Sequence, residues 1–218
     1  MSTATVNGIG AAQCLLTVPL SGIPFADVEL TEEATIPDRS VLIIGTLTMV
    51  CSPIWQGTYL GRTQARLAAG GAGWRKPVTP RGYGSPAGVI LAQVIADAAA
   101  EVGELVGVVP ASNVGPFFGR VAGPASQVFD RVPAGLNWWV DMQGLAQVAA
   151  RPVTPSLTPV EAIDWDPWIR RLIVGCEDNG SIGPGSQLTL PSVGTVTINA
   201  ARWSIANDRL RGELWTAA

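Results

Sequence analysis

Glycine and proline constrain this chain most: there are 25 and 17 of them among 218 residues, against an average of roughly 12% for the two together. Helix breakers at this density leave little room for the long Ala, Glu, Lys and Leu runs of a helical bundle or coiled coil. They suit many short strands joined by turns. Hydrophobic residues make up 47% of the chain and charged residues only 14%, where soluble domains carry about 25% charge. That apolar content offsets the entropy of ordering the backbone and excludes wholesale disorder. The expected class is mainly β, with a core of useful size in one or two domains.

The pattern along the chain gives the expected order of elements. Residues 11–20 are densely apolar and stop at the turn Ser21-Gly22-Ile23-Pro24. Residues 25–30 then alternate, with Ala26, Val28 and Leu30 on one face and Asp27 and Glu29 on the other, the period of a half-buried strand. A turn at 35–38 precedes a continuous apolar run at 41–50, read as one buried strand that Pro53 ends; a β pattern resumes at 54–60. Residues 1–67 therefore read as an N-terminal β-module, a small barrel or sandwich.

Residues 68–151 read as a helix-containing α+β middle. The Gly/Pro-rich stretch 68–84 is a loop with Trp74 as its buried anchor. A helix follows, with Ser85 as N-cap, Pro86 at the first helical position and Gly103 as C-cap. Ile90, Leu91, Val94, Ile95, Ala98 and Val102 form its apolar face. A shorter helix at 124–132 buries Val128, Phe129 and Val132, and a hairpin pairs 137–140 with 145–149 across a turn closed by Gly144. Pro155 and Pro159 mark a second linker. Residues 152–218 return to strands at 172–176, 187–190, 194–198, 201–206 and 210–215, a C-terminal β-module that packs with the N-terminal one.

The chain has no histidine, which removes His triads, His general bases and His metal ligands and points away from an enzyme. Eight tryptophans outnumber tyrosine and phenylalanine combined, and Lys76 is the single lysine among 14 basic residues. Trp and Arg are the residues that interface cores favour, so few charges with this pair read as a surface covered by other proteins. A net charge of -3 gives no footprint for nucleic acid, and the dispersed basic stretch Arg62, Arg66, Arg75, Lys76 and Arg81 reads as a solvated loop or a charge-matched protein contact. Cys14, Cys51 and Cys176 show neither zinc spacing nor a disulfide framework and suit a reducing compartment. The longest apolar stretch, residues 89–100, is interrupted by Gln93 and Asp97, so neither a membrane span nor a signal peptide is expected.

Four motifs resemble chemistry and fall short of it. Gly70-Gly71-Ala72-Gly73 lacks the Lys-Ser/Thr and helix start of a phosphate cradle. Ser85 sits in an imperfect nucleophile elbow, with Tyr83 in the first glycine position and no histidine to serve it. Glu177-Asp178-Asn179-Gly180 has calcium-loop composition without the spacing and reads as a turn. Asp164-Trp165-Asp166-Pro167-Trp168 joins two carboxylates to two tryptophans, as a sugar site does, but precedes Arg170-Arg171 and reads as local ion pairing with Trp anchors. No cofactor, metal or catalytic residue is expected. The candidate contact residues are Trp55, Trp74, Trp139, Trp165, Trp168, Arg170 and Arg171.

The capped helix from Ser85, the short second helix and Leu136-Asn137-Trp138-Trp139-Val140-Asp141-Met142-Gln143-Gly144-Leu145 together resemble a block of baseplate hub and tail-tip proteins of tailed bacteriophages. Pro19-Leu20-Ser21-Gly22-Ile23-Pro24-Phe25-Ala26-Asp27-Val28-Glu29-Leu30 is similar to the start of their β-module, and Pro184-Gly185-Ser186-Gln187-Leu188 to their C-terminal β-domain. The resemblance implies β-barrel modules in a homo-oligomeric ring, often threefold, joining tail tube to central spike in the virion, without catalysis. Tail tube, spike and adaptor proteins are the implied partners, with assembly in the bacterial host cytoplasm. Two rivals carry their own residues. A carbohydrate-binding module would stack sugars on Trp139, or on Trp165 and Trp168. A hydrolase would use Asp164 and Asp166.

Overall fold

Six antiparallel strands close on themselves in the first third of the chain. They are β1 (Ala4–Val6), β2 (Ile9–Val18), β3 (Phe25–Leu30), β4 (Ser40–Ile44), β5 (Leu47–Tyr59) and β6 (Arg62–Ala69). The order β1-β4-β5-β6-β3-β2 returns to β1, because β1 pairs with both β4 and the start of β2. The computed structural model describes residues 4–206 and 209–217. Alternation fills the barrel: Leu16, Ala26, Val28, Leu30, Leu42, Met49, Ala65 and Leu67 all point inward and are buried, a mixture of small and large side chains that fits a narrow interior. The inward face expected for residues 25–30 is the observed one.

Two expectations for this region fail on local geometry. The apolar run 41–50 is a hairpin, because Gly45 takes a φ of 61° and turns the chain between β4 and β5. Pro53 does not end a strand; β5 runs through it, with a bulge between Pro53 and Trp55 that takes up the missing ladder donor.

The middle region packs small elements around one helix. A 3₁₀ turn (Gly73–Arg75) leads to β7 (Pro77–Val78) and β8 (Arg81–Gly84), then to α1 (Leu91–Val102). Next come β9 (Leu105–Val106), β10 (Phe117–Arg120), β11 (Gly123–Pro124), a 3₁₀ helix (Ala125–Arg131), β12 (Asn137–Val140) and β13 (Leu145–Ala149). Gly103 caps α1 at a φ of 75°, as expected, and Leu91, Val94, Ile95, Ala98 and Val102 are buried.

The helix starts at Leu91, five residues later than a Ser85 cap predicts. Ser85 instead accepts the Gly88 N–H at 2.9 Å in a turn, and the backbone carbonyls of Ser112 and Gly115 receive the N–H groups of Leu91 and Val89. A loop distant in sequence thus holds the segment that leads into the helix, and no side chain caps the helix start. The segment 124–132 is 3₁₀ rather than α, and Val132 is only half-buried.

The remaining strands are β14 (Thr154–Pro155), β15 (Glu161–Asp166), β16 (Arg171–Gly175), β17 (Ser186–Leu190), β18 (Gly194–Ala206) and β19 (Arg209–Thr216). They continue the same sheet, since β18 pairs with β2 from Ala201↔Val18 to Ala206↔Gln13. Beyond it the order runs β18-β19-β16-β15, with β17 and β14 branching from β18. The two strands expected at 194–198 and 201–206 are one, bent by a bulge between Ile198 and Ala200. Strand β15 falls where the sequence reads as local ion pairing with Trp anchors and no strand is expected. The expected linker at Pro155 forms a short parallel pair with β17. Trp203 is fully buried and lies opposite Gly212, where an added Cβ would come within 2.6 Å of the indole ring.

Candidate assembly surfaces

Two hairpins expose large apolar side chains on well-held backbones. At the end of β5 and start of β6, Trp55, Tyr59 and Leu60 are 52%, 68% and 83% exposed. The turn between them has positive φ at both central residues, 50° at Leu60 and 73° at Gly61, the geometry that favours Asn-Gly. Leucine there is a locally poor choice. The hairpin is nevertheless firmly tied down. Gln56 accepts the Ile36 N–H at 2.8 Å and donates to the Ile36 carbonyl at 3.1 Å, and Thr63 exchanges two bonds with Ala34 at 2.8 and 2.9 Å. Arg62 reaches Glu29 at 2.6 Å, and Arg66 grips Asp27 through two bonds of 2.7 and 2.8 Å. The Arg62 hydrogen bond holds the Glu29 carboxyl below its ordinary value of 4.5.

The second hairpin joins β15 to β16. Trp168 is 94% exposed at its tip and is followed by exposed Ile169, while Ile163 is exposed further back on the strand. Asp166 orders the turn by accepting the Trp168 and Ile169 N–H groups at 3.0 and 3.3 Å, while the Arg170 carbonyl accepts from Thr216 at 3.0 Å. Arg171 lies 3.9 Å from Asp164, so the expected ion pairing is loose, and Trp165 is half-buried against the core. Trp168 anchors nothing within the chain.

The other tryptophan candidates are inside. Trp74 is fully buried, with its ring 4.9 Å from Phe129, which in turn stacks on Trp138 at 4.2 Å. Trp74 is the internal anchor expected of it and has no face left for a partner. Trp139, proposed as an outward platform, is also buried: the Arg151 guanidinium sits 4.1 Å over its ring and donates to the Leu20 and Pro19 carbonyls. Burial lowers the Arg151 pKa to about 10, which leaves it charged at neutral pH and in cation–π contact. That corrects the reading of Trp139 as a sugar or protein platform. Contacts made across the fold, not along the strand, decide it.

Glu104 was missed by sequence reasoning. Its buried carboxylate accepts the N–H groups of Gly71, Gly73 and Trp74 at 2.9, 2.5 and 3.3 Å. The glycine-rich loop is thus an anion cradle already filled by the chain's own side chain. Its glycines are there for close approach, since a Cβ on Gly73 would lie 2.3 Å from the Val102 carbonyl. Nearby, buried Arg120 bonds the Glu101 carboxylate and the Thr79 carbonyl. Two bonds from Thr79, with help from Arg120, lower the Glu101 pKa.

Among the described residues, no group of three or more His, Cys, Asp and Glu side chains is placed to hold a metal ion. None of the described helices is long and apolar enough to cross a membrane. Asp166 is committed to the hairpin turn, and Asp164 lies exposed with only the loose contact to Arg171.

No protein-family model matches the sequence, and no curated protein matches it. Solved structures do. The 43 kDa tail protein of prophage MuSo2 from Shewanella oneidensis superposes with a TM-score of 0.64 at 8% identity, covering 99% of this chain and 96% of that one. The tail protein from Neisseria meningitidis MC58 gives 0.67 at 12% identity, with the same coverage. The E. coli c3393 protein, a component of the type VI secretion system similar in structure to the T4 bacteriophage tail proteins gp27 and gp5, gives 0.56 at 12% identity over 99% of this chain and 77% of that one. The chain therefore has the fold of solved phage tail proteins, mainly β and built on a closed six-strand barrel, as the sequence resemblance implies.

Proposed function

We propose that the chain is a structural component of a bacteriophage tail, a baseplate hub or tail-tip protein. In this reading it sits in a ring of identical copies, a trimer, and joins the tail tube to the central spike, with no catalytic role. It folds and assembles in the host cytoplasm and ends in the virion. The division into modules at 1–67, 68–151 and 152–218 goes with this reading, with the C-terminal strands packed directly on the N-terminal ones through β18 and β2.

The observation that carries the proposal is the pair of rigid, apolar hairpin tips on a tail-protein fold. Trp55, Tyr59, Leu60, Trp168 and Ile169 stand exposed on backbones that are already ordered, so covering them costs little additional entropy. Arg170, beside Trp168, is suited to the rim of such a contact. The expected result is an oligomeric mass for the purified chain in sedimentation, or its recovery with tail particles, both lost in Trp55→Ser/Leu60→Asp. A monomer that never enters tail particles overturns the proposal.

A second reading has one observation in its favour. Trp55 borders a groove of about 430 Å³ lined by Gln13, Asp27, Glu29 and Gln64, an aromatic wall with polar groups as in a sugar site. Both carboxylates are taken by Arg66 and Arg62, which favours the assembly reading. Glycan-array binding that Trp55→Ala abolishes would reverse that preference.

A further inference from the structure

Strand β15 is an open edge. It pairs with β16 along one side, and among the described residues no other backbone group bonds to residues 161–166. A strand paired on one side directs about half of its N–H and C=O groups away from the sheet, where another strand can take them up. Glu161, Ile163 and Asp164 are exposed along it, and the exposed Trp168 and Ile169 stand at its end. Leu157, just before it, is 94% exposed.

Carboxylates and a bulge are also how proteins guard an edge against pairing, and β15 has both, the bulge lying between Ala162 and Asp164. The guard is selective in what it repels. Antiparallel pairing of β15 with its own copy would set Glu161 near Asp166 and place further acids beside them, a like-charge arrangement that destabilises a strand pair. A guard alone also gives no reason to leave a tryptophan in water at the same end. The pattern suits a strand whose alternate residues are Lys or Arg, with an apolar residue to cover Trp168 and Ile169.

We infer that β15 is a docking edge for a cationic, extended segment of a different polypeptide, added as a further strand. The inference rests on the tail reading only for where such a segment comes from. Complementary charge fixes partner choice, and main-chain bonds with apolar cover supply the affinity.

The test uses the full chain, isotopically labelled, and two synthetic peptides of about eight residues, one alternating Lys with Val and one alternating Glu with Val. The Lys peptide is expected to shift and protect the amides of residues 161–166, and the Glu peptide to leave them unchanged. Asp164→Lys, at an exposed position, is expected to weaken the Lys peptide about tenfold and to admit the Glu peptide. Equal binding of both peptides, or perturbation confined to other strands, overturns the inference. So does self-association of the free chain that Asp164→Lys strengthens or Ile163→Pro abolishes. Incorporation of Asp164→Lys into tail particles, measured alongside, bears on the tail reading separately from the peptide result.

Discussion

The two strand-rich parts of the chain handle their edges in opposite ways. In the first, β1 bonds to both β4 and β2, and the six strands have no terminus to the sheet. In the second, strands added from β18 stop at β15, whose outer side meets no described backbone. Closure satisfies backbone groups within the fold and gives a self-sufficient core. An open edge leaves hydrogen-bonding capacity for another chain. The barrel is not without contact features, since its β5–β6 tip carries Trp55, Tyr59 and Leu60. Those side chains extend from a closed structure, whereas β15 offers the sheet itself. The same polypeptide thus combines a side-chain contact with a backbone contact, two kinds of attachment that respond to different substitutions.

The largest expected effect breaks the closed side. Leu42 is fully buried inside the ring, and Leu42→Ala should cost about 2–5 kcal/mol by lost burial and a residual cavity. That corresponds to a fall of about 4–20 °C in Tm for a chain of this size. Hydrogen exchange should find ring amides slowest and β15 amides among the fastest. A ring that exchanges as fast as β15 would remove the contrast.

Next comes the joint between the two parts. Gly212→Ala puts a methyl group 2.6 Å from the Trp203 ring and 2.9 Å from Val174, so the indole must move or β19 must shift from β18. Overpacking of this kind costs about 1–3 kcal/mol. The loss should appear as faster exchange in β16, β18 and β19, with the ring interior unchanged. Uniform acceleration over all strands would show that the two parts unfold as a single unit. An unchanged Tm would show that the Trp203 pocket has slack.

These sites also mark what sequence reading reaches. Strand β3 was legible because its alternation is local and one face is buried, and the end of α1 because Gly103 needs positive φ. The start of α1 was not, since Leu91 and, just before the helix, Val89 donate to Ser112 and Gly115 in a loop that no local signal ties to it. The run 41–50 hid a turn because Gly45 sits among residues that also suit an unbroken strand. Glu104 was out of reach because its three donors lie about thirty residues upstream, and Trp139 because Arg151 covers it only after the chain folds back. The contact class was partly legible: exposed Trp55 and Trp168 were among the candidates, while Tyr59, Leu60 and the free edge of β15 depend on topology.

Acid titration gives a smaller effect on the ring's outer face. Arg62 and Gln64 hold the folded pKa of Glu29 below 4.5. A carboxyl group whose folded pKa is lowered stabilises the fold above its unfolded pKa, and that contribution is lost as pH falls through the folded value. Glu29→Gln should therefore match the parent in how stability varies above about pH 5, and lose less of it on acidification below that. An identical acid limb in the two proteins would show that the Arg62 contact is not populated in solution.

The smallest expected change has the opposite sign. Leu60 holds a φ of 50° at a turn position where asparagine is better tolerated, and a left-handed backbone costs an ordinary residue roughly 1–2 kcal/mol. Leu60→Asn should raise the stability of the isolated chain by about 0.5–1 kcal/mol, or about 1–4 °C in Tm, while removing an 83% exposed apolar side chain. If the tip is a contact surface, the more stable chain should also assemble less well, because stability and contact pull on this residue in opposite directions. Peptide binding at β15 should be unaffected, since that edge depends on a different hairpin. A Leu60→Asn chain that is less stable as a monomer would mean the leucine packs on its own turn. One that is more stable and assembles as before would exclude the β5–β6 tip from the interface and leave the open edge to carry it.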